Sequence, residues 1–521
     1  MKQHVLLAAL LLTVAMGIAL AGTTGKIAGV VKDDKTGEEI VGANVVIEGT
    51  TRGAATNVDG YFVILNVPPG KYTLVASAVG YNRKTVTNVS VSIDLTTTIN
   101  FNLPSDVVQQ EEVIVVAEKP IIQRDLTAKT AVIGNEQISA LPVTEVSQVL
   151  SLQAGFVAGS LRGGRSGEVA YWIDGVPITD VYNGSQVVEV NKNLIQELQL
   201  VSGAFNAEYG QAMSGIVNIA TKEGSSKFSG GVGSYIGDYV SSHTDVFPGI
   251  DKISPTAIRN FEANLSGPIV GDDLTFFANG RYIYFDGWLS GYRRFNPSNV
   301  ALRDSNSLSR DPSTGLGDSA RVPLNDSERK CAQGKITWRP IGTLKATLNY
   351  IFDNTRSRPG FDAGRYRGYF YNPDGVGYNY DVSNTFIFQM SHTLGARTFY
   401  TLGGSYFDKN SKYYLYENLN DPRYVHREVF NTRFDSYSFA TGGTDNGRFE
   451  RSTKTLLVKG DISSQLNESN LVKAGVEFRS HRLFYESYEL IPVLSQTAFD
   501  PLNPYIQTRI PPYTSPSYET Y

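Results

Sequence analysis

From about residue 226 to the end, apolar and polar positions alternate one by one. Leu274, Phe276, Ala278, Gly280, Tyr282 and Tyr284 alternate with Thr275, Phe277, Asn279, Arg281 and Ile283. Leu344, Ala346, Leu348 and Tyr350 alternate with Lys345, Thr347 and Asn349, and Phe386, Phe388 and Met390 with Ile387, Gln389 and Ser391. Two further runs, Leu456-Val458-Gly460-Ile462 and Val472-Ala474-Val476-Phe478, repeat the pattern against Leu457-Lys459-Asp461 and Leu471-Lys473-Gly475-Glu477. A period of two predicts strands whose faces meet different surroundings. The connections narrow the choice. Short turns at 267–273, 339–343, 393–396 and 466–470 alternate with long polar stretches at 287–330, 353–383, 411–453 and 485–521. Long structureless loops are unusual in a compact soluble domain. Short turns at one end, long loops at the other and one apolar face together predict an antiparallel transmembrane β-barrel of about ten strands over 226–521. Tyr284, Phe285, Trp288, Trp338, Tyr350 and Phe352 near strand ends fit an interfacial aromatic girdle.

The first 225 residues read differently. Lys2 and His4 precede an apolar run at 5–20 that ends in Ala19-Leu20-Ala21, the pattern of a secretory signal peptide cut after Ala21. Residues 22–104 hold short β-like runs separated by Gly, Pro and Asp-Gly turns, which predicts a small β-sandwich. Within 105–120, Val113-Ile114-Val115-Val116 forms a β-branched run flanked by acids, suited to adding to the sheet edge of another protein. Over 121–225 the pattern predicts a strand at 131–133, a short amphipathic helix at 143–152 and a hairpin turning on Asp174-Gly175. Elements at 194–201 and 215–224 follow.

Composition supports a mainly β protein, with 30 Tyr, 25 Phe and 50 Gly and only 41% apolar residues. The formal charge of −4, with both signs mixed along the chain, lacks the basic stripe of a nucleic-acid binder. Cys331 is the only cysteine, which leaves no intrachain disulfide. His243, His392, His426 and His481 are isolated from one another and show no metal-ligand spacing. Without GxSxG, HExxH or GxxxxGK[ST], catalysis and a bound cofactor are not expected.

Two resemblances follow from the motifs. Gly42-Ala43-Asn44-Val45-x-Ile47, Gly49-Thr50, Gly60-x-Phe62 and Pro69-Gly70-x-Tyr72-x-Leu74 resemble the carboxypeptidase-regulatory-like domain, an immunoglobulin-like sandwich. Here that implies an accessory module, since it carries no histidine. Arg162-Gly163-Gly164-Arg165, the IDGVPI hairpin around Asp174-Gly175, the SGAFNAEYG turn ending in Glu208-Tyr209-Gly210 and the SGIVNIATKEG exit strand resemble, in order, the plug domain of TonB-dependent outer-membrane receptors. Glu112-Val113-Ile114-Val115-Val116-Ala117 then lies where that family carries its TonB box, and resembles it.

The implied fold is an Ig-like β-sandwich, an α/β plug domain and the first part of an antiparallel barrel. Family barrels have 22 strands, so this chain supplies under half. The proline-rich stretch 511–516 suggests that it stops inside an extracellular loop, as a C-terminally truncated product would. Arg162 and Arg165 are expected to pair with carboxylates of the barrel lumen, Asp174 to form a turn, and Glu208 to hold plug to barrel. The implied function is energy-coupled uptake across the outer membrane of a Gram-negative-type bacterium. TonB and outer-membrane lipid are the implied partners, with a surface lipoprotein as a companion. The solute stays open among siderophore, cobalamin, glycan and peptide. The alternative is a surface adhesion or ligand-binding protein that uses the barrel only as an anchor.

Overall fold

The computed structural model describes residues 24–105, 113–116, 129–157, 159–165, 167–203, 210, 212–245, 247–297, 317–359, 368–424, 439–440, 442–468, 470–493, 505–509 and 519–520. The signal-peptide segment lies outside these residues, as do Glu112, Ala117, Glu208 and Tyr209.

The first unit is the expected sandwich. Strands β1 (Gly25–Asp33), β4 (Tyr61–Val67), β7 (Thr96–Thr98) and β8 (Phe101–Leu103) form one sheet. Strands β2 (Asn44–Ile47), β3 (Gly53–Ala55), β5 (Gly70–Ser77), β6 (Lys84–Val91) and β9 (Val113–Val116) form the other, in the order β3-β2-β5-β6-β9. Alternate apolar residues of both sheets meet between them: Ile27, Val31, Val45, Ile47, Phe62, Leu74, Val89 and Phe101 are buried in one cluster. Gly60 has φ +66, and a Cβ there would stand 2.8 Å from the Val31 carbonyl oxygen, so the Asp59-Gly60 turn needs glycine.

The second unit has strands β10 (Lys129–Gly134), β11 (Phe156–Val157), β12 (Ser160–Leu161), β13 (Val169–Ile173), β14 (Val176–Pro177), β15 (Ile195–Ser202) and β16 (Gly215–Thr221). Its main sheet runs β10-β15-β16-β13-β14, with β13 and β16 parallel. Helices α1 (Asn135–Ala140) and α2 (Val146–Ser151) pack on it through Ile138, Val146, Val149 and Leu150. Helix α2 is shorter than the 143–152 expected from apolar spacing. The Gln148 carboxamide oxygen accepts from the backbone N–H groups of Thr144 and Glu145, and this closes the helix start at Glu145.

The barrel sheet comprises β17 (Ser229–Gly237), β18 (Ile258–Val270), β19 (Leu274–Phe285), β22 (Ser327–Ile341), β23 (Leu344–Ser357), β24 (Tyr378–Gly395), β25 (Thr398–Tyr414), β26 (Gly447–Gln465), β27 (Leu471–Val493), β28 (Tyr505–Arg509) and β29 (Glu519–Thr520). A separate ribbon in one long loop pairs β20 (Ser290–Tyr292) with β21 (Arg321–Pro323). The sheet is an antiparallel meander of 11 strands, close to the ten expected, and among the described residues its path does not close.

Its faces are those read from the alternation. Thr275, Phe277, Asn279, Arg281, Lys345, Thr347, Asn349, Leu457 and Lys459 are buried, facing the second unit. Ile336, Leu348, Phe386, Phe388, Leu456, Val458, Val476 and Phe478 face outward and are exposed, as a lipid-facing band requires. The long loops are shorter than expected, because β23 to β27 continue several residues beyond the apolar band. There Lys454–Asp408 and Lys412–Glu450 pairs occupy the outer face, so both faces are polar and the alternation disappears from the sequence.

Candidate functional site

The α/β unit sits against the inner face of the barrel sheet, and its contacts there are polar and buried. At the tip of the β13–β14 hairpin, Asp174 and Gly175 both have positive φ (46° and 74°), which fits a two-residue turn of the primed type. The Asp174 carboxylate is also a buried acceptor. Thr221 donates its N–H at 2.9 Å and its hydroxyl at 2.7 Å, Asn349 its amide at 2.9 Å and Lys335 its ammonium at 3.1 Å. Lys335 and Asn349 are direct register partners on β22 and β23, so the two barrel residues reach one point of the lumen together. Lys459 donates to the Gly175 carbonyl and lies 5.4 Å from the ring centre of Trp172, which is fully buried.

Two further anchors repeat the arrangement. Asp180 has no exposed surface; Arg451 approaches it at 3.2 Å and the Thr453 hydroxyl donates to it at 3.2 Å. The Arg451 guanidinium also lies 4.7 Å from the ring centre of Tyr182. Glu145, at the start of α2, turns its carboxylate outward to Arg281 and Arg329, each at 2.9 Å. Arg329 is shared with Glu189 at 2.8 Å and with Asp353. Where the unit hands the chain to the barrel, Glu223 accepts from Arg339 at 2.6 Å and Lys345 at 2.8 Å. Burial alone would raise the Glu223 carboxyl; the cations of Lys345, Lys335 and Arg339 outweigh it and hold the group well below the usual carboxylate range.

These anchors correct part of the sequence reading. Arg162 and Arg165 are exposed, and neither side chain meets a lumen carboxylate among the described residues. The polarity is reversed: carboxylates of the α/β unit meet cations of the barrel wall. Arg162 and Gly163 instead shape a left-handed turn, with φ 52° and 76°. Gly164 lies tight against Ser214, and the Arg165 N–H donates to Glu168. Asp174 does form its turn, and in addition it is a principal contact to the wall. Gly210 is exposed beside the hairpin. Glu145, Asp180 and Glu223 were missed; the only sequence signal was the set of charged residues on the inward faces of strands, Arg281, Lys345 and Lys459 among them.

The β-branched run is a strand. Val113–Val116 pairs in parallel with β6, with Lys84, Thr85, Val86 and Thr87 opposite Val113, Ile114, Val115 and Val116. The sandwich in turn sits at the short-turn end of the barrel. Lys26 reaches Gln465, Asn66 reaches Thr393, and Lys473 pairs with Asp94 at 3.2 Å. The Ile93 N–H donates to Glu197 at 2.9 Å, and Gln199 donates to the Ile93 carbonyl at 3.0 Å.

Residues 27–115 match the family described as CarboxypepD_reg-like domain, and residues 122–217 match the TonB-dependent Receptor Plug Domain. The chain therefore carries the plug domain of TonB-dependent receptors. The chain is 24% identical over 333 residues to the TonB-dependent transporter Oar of Myxococcus xanthus, covering 57% of this chain and 30% of that one. It is 29% identical over 273 residues to the TonB-dependent receptor SusC of Bacteroides thetaiotaomicron, covering 47% of this chain and 25% of that one. The chain therefore matches less than a third of the length of these relatives. Among solved structures, the outer membrane transporter YddB from Escherichia coli superposes with a TM-score of 0.45 at 13% identity, covering 70% of this chain and 49% of that one. These relatives are described as TonB-dependent transporters and receptors.

Proposed function

We propose that the protein to which these units belong imports a scarce solute across the outer membrane by work delivered from TonB. In this reading 1–21 is the signal peptide, 22–104 the sandwich and 105–120 the linker with the coupling strand. Residues 121–225 form the plug and 226–521 part of the barrel. The observation that carries the reading is how the plug is held. Its contacts to the wall are discrete ion pairs at Asp174, Asp180 and Glu145, accompanied by an apolar patch around Phe277, Ile351, Ile387 and Leu457. Such an attachment holds at rest and can be broken contact by contact, leaving the wall intact. Residues 112–117 supply the handle, because main-chain pairing along an extended strand resists force without a fitted side-chain pocket. The test is Val115→Pro in the full-length protein, measured for binding to the periplasmic domain of TonB. Proline removes one main-chain donor and should abolish that binding while leaving the barrel folded. Unchanged binding would contradict the assignment of residues 112–117.

A further inference from the structure

The coupling strand is not a free tail in this structure. It is the last strand of the five-stranded sandwich sheet, held on one side by β6. The sandwich family match also runs on to residue 115, so the run belongs to the module as well as to the linker. A strand has two hydrogen-bonding edges. That of β9 facing β6 is occupied; the opposite one pairs with no other strand among the described residues. A strand edge without a partner strand is a template for another chain. Val116 is 63% exposed, which leaves the strand end open to a partner.

The far end of β6 is tied to the plug. Strand β6 ends at Val91, and two residues later the Ile93 main chain is gripped by Glu197 and Gln199 of β15, both buried. The module that carries β9 is thus fixed to the plug sheet.

We infer that the sandwich presents the coupling strand to TonB as its own open sheet edge, so that TonB extends the sandwich sheet. This rests on the assignment of residues 112–117 as the coupling strand. Presentation has a physical advantage over a disordered tail. Fixing backbone residues in one conformation costs entropy, and four residues of β9 are already extended before the partner arrives. Pre-ordering of this kind raises affinity by lowering the cost of binding. With only part of that cost recovered, the gain should still be at least about 10-fold.

The experiment compares three forms against the periplasmic domain of TonB by biolayer interferometry. They are the full-length receptor, the same receptor with Thr87→Cys and Val116→Cys oxidised to a disulfide, and a synthetic peptide of residues 110–120. Thr87 and Val116 are register partners, so the disulfide fixes β9 on β6. The expected result is that the locked receptor binds as tightly as the unlocked one, and the peptide at least 10-fold more weakly. Loss of binding on locking, restored by reductant, would overturn the inference: the strand would then have to leave the sandwich before capture. Equal affinity of peptide and receptor would overturn it too. If neither peptide nor receptor binds, it is the coupling-strand assignment that fails. Should the disulfide not form, Thr85→Pro in β6 takes its place, and release of the strand should weaken binding toward the peptide value.

Discussion

Replacing Lys335 with Met probes the contact between plug and wall at a buried point. The Lys335 and Asp174 side chains are 3% and 7% exposed, with 3.1 Å between ammonium and carboxylate. Methionine keeps the length of the side chain and removes the charge. Asp174 is then left with the Thr221 N–H, the Thr221 hydroxyl and the Asn349 amide, all neutral donors. Breaking one side of a buried ion pair costs about 3–5 kcal/mol, because the remaining charge is stranded. Three surviving hydrogen bonds favour the lower end, about 3 kcal/mol, or roughly 150-fold in the equilibrium between docked and undocked plug. Hydrogen exchange of the full-length receptor in nanodiscs reads this directly. Amides of β13, β14 and β16 should exchange about 100-fold faster, while those of the outward-facing barrel strands stay unchanged. Adding Asp174→Asn to Lys335→Met removes the stranded charge and should restore most of the protection. Exchange within about twofold of the parent in Lys335→Met would refute the reasoning, because it would mean that the pair contributes nothing to docking.

Two other outcomes follow from the same structure. The Glu223 carboxyl is held below its ordinary value in the folded state, so its contribution to docking is fully present above the unfolded pKa of about 4.3 and is lost as pH falls below it. The difference in plug melting temperature between the parent and Glu223→Gln should be flat from pH 8 to about 5 and shrink toward pH 3; a difference that grew on acidification would contradict the sign. Val476 lies on the outward face of β27 and is 67% exposed, and Val476→Arg at the lipid band should cost up to about 2–4 kcal/mol of barrel stability. Urea unfolding in lipid measures that cost, and no loss would remove Val476 from the membrane.

Much of the architecture was legible because it depends on local periodicity. The lipid-facing set Leu348, Phe388, Leu456, Val458 and Val476 is apolar at every second residue, and the inward set is not. The Asp174-Gly175 turn was legible because few residue pairs tolerate two positive φ values. The upper ends of β23 to β27 were not. Above the membrane both faces meet water, and the period that marks a strand vanishes. Plug anchoring was legible only in half. Sequence shows that Arg281, Lys345 and Lys459 stand on inward faces, but not which plug residue each one meets. Asp180 and Glu145 lie in a loop and at a helix start, where a carboxylate has ordinary local uses as a turn former or cap. The Arg162 and Arg165 expectation is not met among the described residues for the same reason: a charged loop motif gives no direction for its side chains. The position of β9 on β6 was also beyond reach, since a β-branched run names a strand and not its neighbour.

The central claim is that a pull on residues 113–116 releases the plug and leaves the barrel standing. Single-molecule force measurement on the full-length receptor in a bilayer, with the periplasmic domain of TonB as the handle, tests it most directly. Fully extended, plug residues 129–221 span at most about 330 Å. Extension should be stepwise and stay within that length plus the linker, at forces lowered by Lys335→Met and with no further step from the barrel. Extension that continued beyond it at the same force, or detachment of TonB before any extension, would contradict the account.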